Sequence, residues 1–338
     1  MKQPPQGVRI AVLGAGAWGT ALAQAFSAVH KVCLWGLEAD NIETMRHGRE
    51  NKLFLPGITL RPELEFSDDF NQTVQGADLH LVVTPLAGLR KTVRALRSIQ
   101  QSSVPIIWAC KGFEAGSGKL PHEIVAEEMG KDAPCGVLTG PSFAAEVAHG
   151  LPTAVTLASN DSDFATDWVH KLHQPRFRIY ASDDIIGCET GGALKNVIAI
   201  AAGVADGMGY GLNTRAAIIT RGLAEIARLA GALGGRPETL MGLAGMGDLI
   251  LTCTGDLSRN RQVGLALAAG KTLPDILAEL GHVAEGVSTA HEATQLSRRL
   301  GVDMPICTSV DALLRGGISA HDAVEQLLAR DPKQEQER

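Results

Sequence analysis

Gly14-Ala15-Gly16-Ala17-Trp18-Gly19 is the stretch that decides the fold. It follows the apolar run Val8 to Leu13 and leads into Thr20-Ala21-Leu22-Ala23-Gln24-Ala25-Phe26. A strand therefore runs into a glycine turn and then into a helix. That setting, more than the glycine spacing alone, marks a dinucleotide-binding turn. Gly14 makes the tight turn, Gly16 lets the backbone approach a pyrophosphate, and Gly19 lets the helix lie close to the strand. The helix N-terminus then offers its unpaired N–H groups to the phosphates. A ligand-free strand-helix turn is the plain alternative.

Outward from this turn the chain keeps the rhythm of an α/β sheet. Apolar runs at Val32–Trp35, Leu79–Val83, Val104–Cys110 and Cys135–Thr139 read as strands, with helical stretches at 37–50, 88–99 and 120–129. Ala154–Ala158 and Phe177–Tyr180 add strands at the far side, and Asn51–Pro62 is a loop. Near residue 183 the texture changes to helix after helix. The spacing predicts one helix over 183–206 and another over 213–233, capped by Asn213 or Thr214 and stopped at Gly234-Gly235. Thr289-Ala290-His291-Glu292 and Ser319-Ala320-His321-Asp322 have the pattern of capping boxes; Gly301 ends one late helix and Pro305 opens the next. Residues 331–338 are polar and expected to fray. The expected organisation is a Rossmann-like domain over 1–185 and an all-helical domain over 186–330, with a ligand cleft between them.

Composition bounds the function. The 338 residues are 45% hydrophobic and 20% charged, as in a globular enzyme, and the net charge of −6 offers no general footprint for nucleic acid. Glycine or charge breaks each apolar stretch, so no membrane span is expected. Met1–Gly7 has no apolar leader core, which makes the cytoplasm the expected compartment. Six scattered cysteines without C-x-x-C spacing read as buried thiols. His170 and His173 lack a third ligand, and no metal site is expected.

Candidate chemistry lies on the long helix. Gly187, Gly191, Lys195 and Ala199 fall four apart on one face, where Lys195 is the lone long polar group. Either a flat ligand approaches this bare strip or another helix packs on it. Asn196 adjoins it. Lys111, Gly140 and Ser142 follow strand ends, the edge where ligands bind in doubly wound sheets. Asp248 stands among glycines, as an N-cap or as a partner that orients a lysine. Ser258-Arg259-Asn260-Arg261 gathers donors suited to phosphate. Hydride transfer to a carbonyl needs a proton donor on its oxygen. Lys195 suits that role if burial or a neighbouring cation such as Lys111 lowers its pKa.

With these residues in view, the chain resembles the bacterial NAD(P)-dependent glycerol-3-phosphate dehydrogenases. The likeness spans almost the whole chain: Gly14 to Leu22, Leu34-Trp35-Gly36, Cys110 to Glu114, Leu138 to Ala144, Gly191 to Ala199, Gly245 to Leu249, Leu251 to Cys253, Ser258 to Arg261 and Val283 to Gly286. It implies a Rossmann-like domain followed by a helical domain of the 6-phosphogluconate-dehydrogenase-like type. It also implies reversible reduction of dihydroxyacetone phosphate to sn-glycerol 3-phosphate for phospholipid synthesis, in a homodimer. By that resemblance Lys195 is the acid/base. Lys111, Gly140, Ser142, Asp248, Ser258, Arg259 and Asn260 surround the substrate, and Asn196 joins them as a candidate because it adjoins Lys195. Ala17, Trp18, Lys111, Ala144, Arg259, Val283 and Glu285 contact the cofactor, NAD or NADP.

One position departs from the family pattern. Members that favour NADPH often carry histidine or arginine after Leu-Trp-Gly, where this chain has Leu37 and then Glu38, with Arg46 and Arg49 further on. NADH and NADPH both stay open. A two-domain hydroxyacid dehydrogenase and a non-catalytic NAD(P)-binding sensor are the rival readings.

Overall fold

The computed structural model describes residues 7–99, 104–280 and 284–330; Val283 and the polar 331–338 lie outside them. Eight strands form one sheet: β1 (Arg9–Leu13), β2 (Lys31–Trp35), β3 (Glu65–Ser67), β4 (Leu79–Val82), β5 (Ile106–Trp108), β6 (Cys135–Thr139), β7 (Thr153–Ala158) and β8 (Phe177–Ser182). Their order is β3-β2-β1-β4-β5-β6-β7-β8. The first six are parallel; β7 is antiparallel to β6, and β8 is parallel to β7. The order 3-2-1-4-5-6 is that of the dinucleotide-binding sheet, whose ligand crevice lies where the order reverses, outside the ends of β1 and β4.

Alternate strand residues divide between two cores. Ile10, Val12, Leu34, Leu81 and Ile107 share one face, and Ala11, Leu13, Val82, Ile106 and Trp108 the other. Both faces are covered, so the strands read as continuous apolar runs. The short β3 escapes the sequence reading because a three-residue edge strand takes its order from pairing with β2 rather than from a pattern of its own. The helices Phe70–Val74, Ala144–Ala148 and Ser162–Leu172 were likewise not expected.

β8 runs opposite to β1–β6, so it delivers the chain to the amino edge of the sheet. From there the helix Ile185–Gly207 travels back, capped by Asp184, whose carboxylate accepts from Gly187 N. Lys195, about three turns in, thereby arrives at the carboxyl edge. This helix is long enough, and by mean hydropathy apolar enough, to span a bilayer, although glycines, Glu189 and Lys195 interrupt the run as expected. Its surroundings explain the composition: 94% of its apolar window is buried within the protein. A helix that is apolar all round is a core helix. Helices Gly211–Ala232, Asp248–Thr254, Arg259–Ala268 and Glu285–Leu300 pack around it.

Several helix ends fall where expected. Gly301 terminates Glu285–Leu300 in the left-handed conformation, Pro305 opens Pro305–Leu314, and Ser319 with Asp322 forms a capping box. Two expectations are corrected. Thr289 lies inside Glu285–Leu300, where its hydroxyl packs toward Gly112 instead of capping. The helix expected from Asn213 or Thr214 begins at Gly211, and the Thr214 hydroxyl donates back to Tyr210 O at 3.1 Å.

Candidate active site

The glycine turn is built as its sequence implies. Gly14 has φ +127°, and a Cβ there would lie 2.7 Å from Val83 O, at the end of β4. A Cβ on Gly19 would overlap Gly14 O, so the helix sits against the turn. Gly16 differs: a Cβ there would meet nothing within 4 Å. Gly16 also precedes the helix Ala17–Phe26 without any side-chain cap. The turn thus leaves a cradle with unpaired N–H groups facing it, which fits a pyrophosphate. Asn51, which the sequence reading passed over, holds the turn from behind. Its buried amide donates to Ala15 O at 2.9 Å and to Thr20 Oγ1 at 2.8 Å. A lone asparagine in a loop carries no local signal of that task.

At the same sheet edge three charged side chains converge. Lys111 leaves the end of β5, and Gly112, with φ +119°, turns the chain away against Thr289. Lys111 Nζ donates to Asp248 Oδ2 at 2.7 Å. Lys195 Nζ donates to Asp248 Oδ1 and, at 3.0 Å, to Thr252 Oγ1. Asp248 is 1% exposed and Lys195 8%. Asp248 opens the helix Asp248–Thr254, but its carboxylate bridges two ammonium groups and does not cap. A π-helical segment, Leu243–Gly247, precedes it and packs on the long helix, so a Cβ on Gly191 would lie 2.7 Å from Ala244 O. The bare strip is therefore filled by protein: Gly187 and Gly191 serve close packing, and Lys195 turns to Asp248 rather than to water. Thr252 is the other residue the sequence reading left without a role. Its spacing of four from Asp248 on one helix was the available signal.

Burial lowers the Lys195 ammonium to about 8; Asp248 opposes that shift and Lys111 adds to it. Burial works to raise the Asp248 carboxyl, but the two lysines outweigh it and hold the group below its usual range. The cluster therefore holds one carboxylate between two cations, one of which, Lys195, is held below its usual range by burial.

The remaining candidates surround this cluster unequally. Asn196 donates to Glu285 Oε2 at 3.4 Å, and burial raises the Glu285 carboxyl against the pull of Lys111, Arg259 and Lys195. Ser258 caps Arg259–Ala268. Asn260 Oδ1 accepts from Gly286 N at 3.0 Å, which leaves its amide hydrogens for another partner. Arg261 is committed to Asp206 at 2.9 Å and to Asp256 at 3.1 Å, whereas Arg259 is exposed with no hydrogen bond among the described residues. Ser142 Oγ donates to Gly140 O at 2.9 Å, in the loop after β6 that leads to Ala144. A Cβ on Gly192 would touch Thr139 Oγ1 and Lys111, so that loop, Lys111 and the long helix meet. Glu189, one turn earlier, accepts from Trp108 Nε1 at 2.8 Å and His122 N at 3.0 Å, pinning the helix to the sheet.

The comparisons with known proteins point to one family. Family models described as NAD-dependent glycerol-3-phosphate dehydrogenase N-terminus and C-terminus match residues 9–165 and 184–325. Proteins named glycerol-3-phosphate dehydrogenase [NAD(P)+] from Aromatoleum aromaticum and Dechloromonas aromatica are 67% and 61% identical, over 97% of this chain and 100% and 99% of theirs. The crystal structure of glycerol-3-phosphate dehydrogenase from Coxiella burnetii is 41% identical with a TM-score of 0.92, covering 96% of this chain and 100% of that one. A D-mandelate dehydrogenase, 14% identical with a TM-score of 0.59 over 96% of this chain and 100% of its own, shares the fold alone. This chain belongs to the NAD-dependent glycerol-3-phosphate dehydrogenase family.

Proposed function

We propose that the protein interconverts dihydroxyacetone phosphate and sn-glycerol 3-phosphate, in a cleft between a dinucleotide-binding domain, 1–185, and a helical substrate domain, 186–330. The observation that carries this reading is Lys195, buried between Asp248 and Thr252 beside Lys111, where burial lowers its pKa to about 8. A nicotinamide dinucleotide, when bound, supplies or accepts the hydride. Gly14, Gly16, Ala17, Trp18 and Gly19 would hold its pyrophosphate end, and Lys111, Ala144, Arg259 and Glu285 would contact the rest; Val283, which the family resemblance adds, lies outside the described residues.

In the reducing direction Lys195 gives its proton to the substrate oxygen as that oxygen gains charge. In the oxidising direction neutral Lys195 takes the proton from the hydroxyl. Asp248 orients Lys195 and stays ionised, balanced by Lys111 after the proton leaves. Thr252 fixes a second donor direction of the ammonium. Arg259, Ser258 and Asn260 receive the phosphate, since Arg259 brings an uncommitted planar fork to it. Gly140, Ser142 and Asn196 complete the substrate's surroundings. We assign the protein to the cytoplasm, as a homodimer supplying glycerophosphate for phospholipids.

The test is loss of reduced-nicotinamide absorbance on addition of dihydroxyacetone phosphate, with NADH and NADPH in turn. Turnover with at least one is the expected result. No turnover with either, alongside activity on a 2-hydroxy or 3-hydroxy acid, would establish a different dehydrogenase.

A further inference from the structure

We infer that Glu189 is a positioning residue for the reaction: by tying the long helix to β5, it sets where Lys195 stands relative to Lys111 and Asp248. The inference rests on the dehydrogenase reading above, in which those three groups move and balance the proton.

The Glu189 carboxylate joins three elements. It projects from Ile185–Gly207 and is 4% exposed. Its Oε1 accepts from Trp108 Nε1, in β5, at 2.8 Å and from His122 N at 3.0 Å, and its Oε2 lies 2.5 Å from His122 Nδ1. His122 stands in the first turn of Pro121–Met129, so the same carboxylate satisfies an orphan N–H of that helix. Trp108 is fully buried, and its indole N–H has no water to turn to.

The register of these contacts leads to the lysines. Trp108 and Lys111 are three residues apart where β5 ends, and Glu189 and Gly192 are three apart on the helix. Trp108 meets Glu189, and the Lys111 stem meets Gly192, where a Cβ would lie 3.7 Å from Lys111 Cδ and 3.0 Å from Thr139 Oγ1. Lys195 follows Gly192 by about one turn. On another side of the same helix Gly191 rests against Ala244 O, in the segment that leads into Asp248. The long helix thus stands between the chain that brings Lys111 and the chain that brings Asp248.

Gly191 and Gly192 bring backbones close but have no side chain to key the helix along its axis. Hydrogen bonds are directional, and those to Trp108 and His122 supply the key at Glu189. Lys195 Nζ holds Asp248 and Thr252 by hydrogen bonds of its own, and these survive only small displacements of the helix. A misplacement of about 1 Å at reacting groups can lower a rate about a hundredfold.

The test is steady-state reduction of dihydroxyacetone phosphate as a function of pH, with Tm and dinucleotide affinity alongside, for the wild type and for Glu189→Ala, Glu189→Gln and Trp108→Phe. Glu189→Ala should lower kcat by about a hundredfold while dinucleotide affinity is kept. Its pH inflection should rise above about 8, because burial is the larger cause of the lowered Lys195 pKa and a displaced helix admits water. Glu189→Gln keeps an acceptor oxygen for Trp108 Nε1 and His122 N, and should recover most of the rate and the wild-type inflection. Trp108→Phe keeps a buried ring but loses the donor, and its kcat should lie between the two. A folded Glu189→Ala enzyme with a lowered Tm but the wild-type kcat and inflection would overturn the inference, as would a Glu189→Gln enzyme no better than Glu189→Ala. Where Glu189→Ala does not fold, Trp108→Phe decides: a lowered kcat with a raised inflection supports the inference, and wild-type values overturn it. No turnover by the wild type would sink the dehydrogenase reading, and this inference with it.

Discussion

The turn after β1 and the long helix Ile185–Gly207 use glycine to opposite ends. At Gly16 the missing side chain leaves space open, because nothing of the protein lies within 4 Å of where a Cβ would be. On the helix the missing side chains are filled by neighbouring backbone. A Cβ on Gly203 would meet the Arg261 carbonyl and one on Gly191 Ala244 O, while Gly264 of the helix Arg259–Ala268 lies in turn against Ile200 O. The turn makes a site out of its own backbone. The helix makes one out of side chains that distant elements deliver, and its glycines let those elements come close enough. An identical residue type thus signals a ligand in one place and packing in the other, and only the neighbour tells which.

The sharpest way to separate the two regions is Lys195→Ala. Turnover should fall by about a hundredfold to ten-thousandfold, the usual worth of a general acid. Dinucleotide affinity, measured by titration, should stay within about twofold, since the turn lies outside the lysine cluster. Loss of affinity as well would mean that the regions are one site energetically.

The glycines themselves can be exchanged. Gly203→Ala forces a methyl into the Arg261 carbonyl and should cost about 1–3 kcal/mol of stability, read as a lowered Tm. Gly16→Ala should leave Tm nearly unchanged, because its methyl enters open space, while weakening dinucleotide binding. A destabilised Gly16→Ala protein with normal affinity would erase the distinction.

The lysine cluster also predicts a pH profile. Reduction needs protonated Lys195, so its rate should fall as pH rises through about 8, and oxidation should rise over the same range. Asp248 favours the charged lysine, so Asp248→Asn should move both inflections to lower pH. An inflection that does not move would remove Asp248 from the control of this proton.

The smallest effect is expected away from both regions. Glu225 is buried, and its carboxylate accepts from Ile306 N at 2.6 Å and Cys307 N at 3.1 Å at the start of Pro305–Leu314. Burial raises it from 4.5 to about 7. The folded state then holds a proton that the unfolded chain has released, so this group's contribution to stability declines as pH rises from 4.5 to about 7. Denaturation of Glu225→Gln across that range should lack this part of the decline, with turnover unaltered.

Legibility in the sequence followed range. The glycine turn, the strand rhythm and the late caps at Gly301, Pro305 and Ser319 are local patterns, and each could be read from a few adjacent residues. Lys111, Lys195 and Asp248 were legible as candidates because charged or amide groups stand out in apolar or glycine-rich stretches. Their meeting was not, nor was Thr252 as the second acceptor of Lys195 or Asn51 as the brace of the turn. Ser258-Arg259-Asn260-Arg261 looked like a uniform donor run, yet the fold commits Arg261 to Asp206 and leaves Arg259 uncommitted.

The sequence by itself determined the class of fold, the place of the dinucleotide turn and the short set of residues able to move a proton, because periodicity and turn chemistry act over a few residues. Tertiary structure alone decided that Asp248 bridges Lys111 and Lys195, and that the glycine strip is closed by packing. It also decided that a helix apolar enough for a membrane is instead the centre of a core. Those outcomes depend on burial and on contacts between residues tens to more than a hundred positions apart, which set both the desolvation of a charge and the charge that answers it.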